Sequence, residues 1–125
     1  MSIKRILLVD DEDDIREVAK LSLEMVGGWE VLVARCGAEG LARAQAETPD
    51  AILLDVMMPE MDGPATFRKL QEDPLTQKIP VILMTAKVQA ADRQRFNNLG
   101  VTSVIAKPFD PMQLPSQVSA ALGWD

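Results

Sequence analysis

Histidine is absent from the 125-residue sequence. That removes Ser-His-Asp and Cys-His catalysis and deprives zinc of its commonest nitrogen ligand, so carboxylates, hydroxyls and lysines must carry any chemistry. The single cysteine, Cys36, cannot form an intramolecular disulfide and is expected to be an inert, partly buried thiol. No basic-then-apolar leader and no unbroken run of about 18 apolar residues is present, which points to a soluble cytoplasmic protein that makes no use of a membrane. Lys and Arg are outnumbered by Asp and Glu, 13 to 19, for a net charge of -6. Without clustered cations to neutralise phosphates, direct nucleic-acid binding is excluded. What remains is 47% hydrophobic, enough for a substantial core in a single domain over residues 1–125.

Five short runs rich in Val, Ile and Leu recur at regular spacing: "RILLVD" (5–10), "EVLVA" (30–34), "AILLD" (51–55), "PVILMT" (80–85) and "VTSVIA" (101–106). Most are apolar throughout rather than alternating, the pattern of parallel strands covered on both faces. Segments of helical period lie between them. The first, about 13–26, places Ile15, Val18, Ala19, Ser22 and Val26 on one stripe, with Asp13 and Asp14 suited to a helix N-terminus. Others span about 38–46, from near Pro64 to about Gln71, and about 88–98. Pro111 and Pro115 delay the fifth helix to near Leu114, and Gly123 ends it. Alternation of strand and helix implies a doubly wound α/β fold, a five-stranded parallel sheet between layers of five helices.

Ligands of such sheets bind outside the carboxyl ends of the strands. Strand 1 ends in Asp10 and Asp11, strand 3 in Asp55, strand 4 in Thr85, and strand 5 in Ala106, Lys107 and Pro108. Carboxylates about 4 Å apart repel by roughly 4 kcal/mol per pair at an effective dielectric near 20. A hard divalent cation held by carboxylates, a backbone carbonyl and waters offsets that repulsion, and Mg²⁺ keeps waters that a phosphate can replace. Lys107 suits a phosphate oxygen as a point charge, and Thr85 can donate a hydroxyl hydrogen bond.

In "LLVDDED" (7–13), "PDAILLDVMMPEMDG" (49–63), "PVILMTA" (80–86) and "AKPF" (106–109), the sequence resembles the receiver domain of two-component response regulators, the flavodoxin-like CheY-like phosphoacceptor module. The resemblance spans essentially the whole chain. It implies that Asp55 accepts the phosphoryl group, that Asp10, Asp11, Asp55 and the Met57 carbonyl hold Mg²⁺, and that Thr85 and Lys107 contact the phosphoryl group. It also implies a cis bond from Lys107 to Pro108. The implied donor is a sensor histidine kinase or histidine phosphotransfer protein, and phosphorylation would switch binding to a downstream protein target. Self-catalysed phosphorylation and dephosphorylation would be its only chemistry, in a monomer or weak dimer. Met57 and Lys87 would flank the approach of water to the acyl phosphate.

Each of these residues also has an ordinary reading. A strand-end Asp is commonly a cap or solvated, and Glu12, Asp13 and Asp14 read best as a helix-dipole cluster. Met57, Met58 and Met61 read as loop or gap-filling side chains, and Trp29 and Trp124 as structural. An EF-hand count from Asp10 fails, because Ile15 and Leu21 fall where glycine and a bidentate Glu are needed. Rival functions are an FMN binder, disfavoured by acids after strand 1, an Asp-nucleophile phosphatase, which needs a second Asp where Met57 stands, and a non-phosphorylated pseudo-receiver that acts by binding alone. Val104 replaces the aromatic switch residue often found three residues before the lysine in this family. "TSV" (102–104) replaces the segment typical of dimerising winged-helix regulators, which weakens dimerisation through the last helices. The chain stops just after the fifth helix, so a stand-alone regulator or an excised receiver is expected.

Overall fold

A computed structural model describes residues 3–86 and 89–124. Strands β1 (Arg5–Val9), β2 (Glu30–Ala34), β3 (Ala51–Asp55), β4 (Val81–Thr85) and β5 (Ser103–Ala106) alternate with helices α1 (Asp13–Met25), α2 (Gly37–Glu47), α3 (Gly63–Glu72), α4 (Ala90–Leu99) and α5 (Leu114–Leu122). All strands pair in parallel, in the order β2-β1-β3-β4-β5. The order reverses beside β1, so the connections from β1 and β3 leave on opposite faces and open a crevice at the carboxyl ends of those two strands.

The apolar runs are explained by two-sided burial. On one face Leu7, Val9, Ile52, Leu54 and Leu83 pack with Ala44, Phe67, Leu70 and Phe96 from α2, α3 and α4. On the other, Ile6, Leu8, Leu53, Ile82 and Met84 meet Ala19, Leu23, Leu114 and Val118 from α1 and α5. Successive strand residues thus serve opposite cores, and a one-residue slip would exchange every contact.

Helix α5 starts at Leu114, as the two prolines require. Gln113 and Leu114 donate their N–H groups to the Asp110 carbonyl, and Pro115 lies in the first turn, where its missing donor costs little. β5 begins at Ser103 rather than at Val101, which is buried but precedes the ladder.

Two expectations need correction. The buried face of α1 runs through Ala19, Ser22 and Leu23, whereas Val18 and Val26 are 43% and 48% exposed. The helix is turned toward α5, and the Ser22 hydroxyl donates to the Pro111 carbonyl. Cys36 is exposed rather than partly buried, because it is the N-cap residue of α2 at the end of edge strand β2. Trp29 and Trp124 meet edge to face at 5.4 Å with the Lys4 ammonium over Trp124, a packing role for both. Lys87, the expected flank of the water path, and residue 88, the expected start of the fourth helix, lie outside the described residues.

The turn from β3 to α3 is closed by its backbone. Gly63 donates its N–H to the Val56 carbonyl at 2.9 Å, and the Asp62 carboxylate caps α3 by accepting from Ala65 N at 2.8 Å. A Cβ on Gly63 would lie 2.6 Å from the Asp55 carbonyl oxygen and 2.9 Å from Val56 Cα. Both are backbone atoms that cannot swing aside, so Gly63→Ala should cost about 2 kcal/mol, within the range for overpacking. Urea unfolding measures it; a cost below about 0.5 kcal/mol would show that the turn yields freely.

Candidate phosphoacceptor site

At the mouth of the crevice the peptide after β1 carries Asp10, Asp11 and Glu12 toward the end of β3. Asp10 is fully buried; its Oδ1 accepts from Glu12 N at 2.9 Å, and its backbone N–H donates to the Ala34 carbonyl at 3.1 Å. Asp55, the last residue of β3, is 2% exposed and accepts from Met57 N at 3.4 Å. One carboxylate oxygen from each of Asp10, Asp11, Glu12 and Asp55 lies within 4.8 Å of the others.

Lys107 enters from the end of β5. Its Nζ is 2.9 Å from Asp10 Oδ2, 3.2 Å from Asp55 Oδ1 and 3.7 Å from Glu12 Oε1. The Lys107–Pro108 bond is cis. Lys107 N donates to the Thr85 carbonyl at 2.8 Å, which ties the lysine to the end of β4. Thr85 itself is 1% exposed on the neighbouring strand end. Met57 follows Asp55 in the turn with its side chain 60% exposed, while Met58 is buried in the core.

One ammonium does not balance four carboxylates. Burial, reinforced by Asp10, pushes the Asp55 carboxyl up to about 6 against the opposing pull of Lys107. Burial acts to lower the Lys107 ammonium, but Asp10 and then Asp55 outweigh it and hold it above its ordinary value. Asp11 Oδ1 and Asp55 Oδ2 are buried with no hydrogen-bond partner, and Asp10 Oδ2 has the ion pair but no hydrogen bond of good angle. Converging, unsatisfied, hard oxygen donors with a net negative charge fit a small divalent cation. Asp11→Ala removes one repelling anion, so the metal-free variant should melt roughly 2–5 °C higher, the shift produced by about 1 kcal/mol in a domain of this size. Mg²⁺ binding should weaken at the same time. A lower melting temperature with Mg²⁺ affinity intact would remove Asp11 from the cluster's electrostatics.

The structure therefore gathers Asp10, Asp11, Asp55 and Lys107, with Thr85 and Met57 on adjoining positions. It also adds Glu12, which the sequence reading left to the helix dipole. Glu12 is indeed the N-cap residue of α1, yet its side chain makes no capping hydrogen bond and turns to Lys107 instead.

Comparison with known proteins decides the family: the response regulator receiver domain matches residues 6–119. The chain belongs to that family. It is 45% identical over 116 residues to the response regulator PleD of Caulobacter vibrioides, a match covering 91% of this chain and 25% of that protein. It is 37% identical over 119 residues to the alkaline phosphatase synthesis transcriptional regulatory protein PhoP of Bacillus subtilis, covering 95% of this chain and 48% of the other. This receiver domain thus spans half or less of these relatives. Among solved structures, a Vibrio cholerae chemotaxis response regulator superposes with a TM-score of 0.89 at 29% identity, covering 96% of this chain and 99% of that one. A CheY-like receiver domain protein of Methanospirillum hungatei gives 0.85 at 31% identity, covering 98% and 95%. Among the described residues, no helix is long and apolar enough to cross a membrane.

Proposed function

We propose that Asp55 is the phosphoacceptor of a two-component phosphorelay, charged by a sensor histidine kinase or a histidine phosphotransfer protein. The observation that carries this reading is a buried nucleophilic carboxylate with one oxygen unpartnered and the other beside the Lys107 ammonium. An Asp55 oxygen attacks phosphorus in line, the donor's P–N bond breaks, and the electron pair stays on the imidazole nitrogen. The product is an aspartyl phosphate. Lys107 follows the charge onto the phosphoryl oxygens, and the Thr85 hydroxyl donates to one of them. Asp10, Asp11, Asp55 and the Met57 carbonyl would hold Mg²⁺, which when bound neutralises charge on the transferring group. The domain has no separate substrate to turn over; it catalyses its own phosphorylation and, through water, its own dephosphorylation. The aspartyl phosphate switches affinity for a downstream protein. Phosphatase turnover is disfavoured by Met57 where a second carboxylate is needed.

Incubation with acetyl phosphate and Mg²⁺ should add one phosphoryl group by intact mass, labile to hydroxylamine. Chelation of the metal should abolish uptake. Uptake that persists under chelation, or a label stable to hydroxylamine, would overturn the reading.

A further inference from the structure

Glu12 belongs to no expected ligand set, yet it is the third carboxylate on Lys107. It comes from the N-cap of α1 rather than from a strand end, and its side chain is 58% exposed, against 0% for Asp10 and 2% for Asp55. Its backbone is held by the N–H donated to Asp10 Oδ1, and its exposed carboxylate lies at the rim of the crevice. Three carboxylates face one ammonium, and two of the three are buried. When the Asp55 oxygen beside Lys107 becomes part of the acyl phosphate, negative charge moves outward to the phosphoryl oxygens. Lys107 must move with it, and Glu12 is the exposed anion competing for the same N–H donors.

We propose that Glu12 is a positioning residue that draws Lys107 away from the incoming phosphoryl group and so discriminates against small, highly charged phosphodonors. The inference rests on Asp55 being the phosphoacceptor. A free dianion arriving from solvent meets the Glu12 charge at the rim and a partly engaged ammonium behind it. A unit charge about 6 Å away corresponds to roughly 3-fold in rate per donor charge at an effective dielectric near 80. The penalty therefore scales with donor charge, which a packing role for Glu12 would not produce. The exposed carboxylate also adds to the field that attracts Mg²⁺, so its removal has an opposite signature on metal binding.

The test compares the wild-type protein, Glu12→Gln and Glu12→Asp at saturating Mg²⁺. Phosphorylation rates are measured with acetyl phosphate, a dianion, and with phosphoramidate, a monoanion, while calorimetry measures Mg²⁺ affinity without any phosphodonor. Glu12→Gln should raise the efficiency with acetyl phosphate about 10-fold and with phosphoramidate about 3-fold, and weaken Mg²⁺ binding about 10-fold. Glu12→Asp keeps the charge but not the reach to Lys107, so it should retain Mg²⁺ affinity and recover only part of the rate. Equal changes with both donors, or no change, would overturn the proposal while leaving Asp55 as acceptor. Failure of the wild-type protein to take up phosphate from either donor would instead overturn the reading on which it rests.

Discussion

Asp55→Asn is expected to abolish phosphoryl uptake and, in the absence of metal, to stabilise the fold by about 2–3 kcal/mol near neutral pH. The amide is nearly isosteric but is not a nucleophile toward phosphorus, so the chemical step has no acceptor. The stability gain follows from linkage. The Asp55 carboxyl rises from 3.8 to about 6 in the folded chain, chiefly through burial and then through Asp10. The native state therefore binds this proton more tightly than the unfolded state does. Asp55 favours folding at low pH, that contribution is lost as pH rises from about 4 to about 6, and it stays lost above that range. A gap of about two pH units corresponds to about 3 kcal/mol. Asparagine does not titrate, so the variant should match the wild-type protein near pH 4 and exceed it near pH 7. Urea unfolding of both proteins across that range, with a chelator present, isolates Asp55 because every other carboxylate is common to the two. A variant that is less stable at neutral pH, or a difference that does not vary with pH, would show that Asp55 is not held above its ordinary range.

The fold was legible because its signals are local and repeated. Apolar runs such as "AILLD" have no polar face to hide, so they require cover on both sides, and the two cores supply it through Leu53 on one face and Ile52 and Leu54 on the other. Proximity of Asp10, Asp11, Asp55 and Lys107 was legible for a topological reason: strand order brings the ends of β1, β3, β4 and β5 to one edge. Residues whose fate depends on side-chain direction were not. Glu12 sits where helix-dipole stabilisation is a sufficient account, and only the reach of Lys107 across the crevice gives it another partner. The buried stripe of α1 depends on its rotation against α5, which periodicity alone does not fix. Cys36 is exposed because β2 is an edge strand, and edge position is a property of strand order, not of the residues around the thiol.

Lys107→Met is the opposite perturbation of the same site, and it should lower the stability of the metal-free protein by about 2–4 kcal/mol near neutral pH. Methionine replaces much of the aliphatic stem, so lost packing is small and the charge dominates. The lysine side chain is only 10% exposed, and its ammonium is the nearest cation to Asp10, Glu12 and Asp55. Removing one partner of a buried ion pair typically costs about 3–5 kcal/mol, because the remaining charge stays desolvated without compensation. Here the loss has a ceiling. Asp55 already lies at about 6 and can take up a proton at modest further cost, which relieves part of the repulsion and places the expected value toward the lower end. Two consequences separate this account from simple misfolding. The deficit should shrink toward pH 4 as Asp55 protonates, and saturating Mg²⁺ should recover much of it, since a cation that binds only the folded state stabilises it by mass action. The double variant Asp55→Asn/Lys107→Met should be more stable than Lys107→Met alone, with a coupling of about 1–3 kcal/mol in the double-mutant cycle. Equal stability of Lys107→Met and the wild-type protein at neutral pH with chelator, or a coupling near zero, would mean that the ammonium does not compensate the acids it faces.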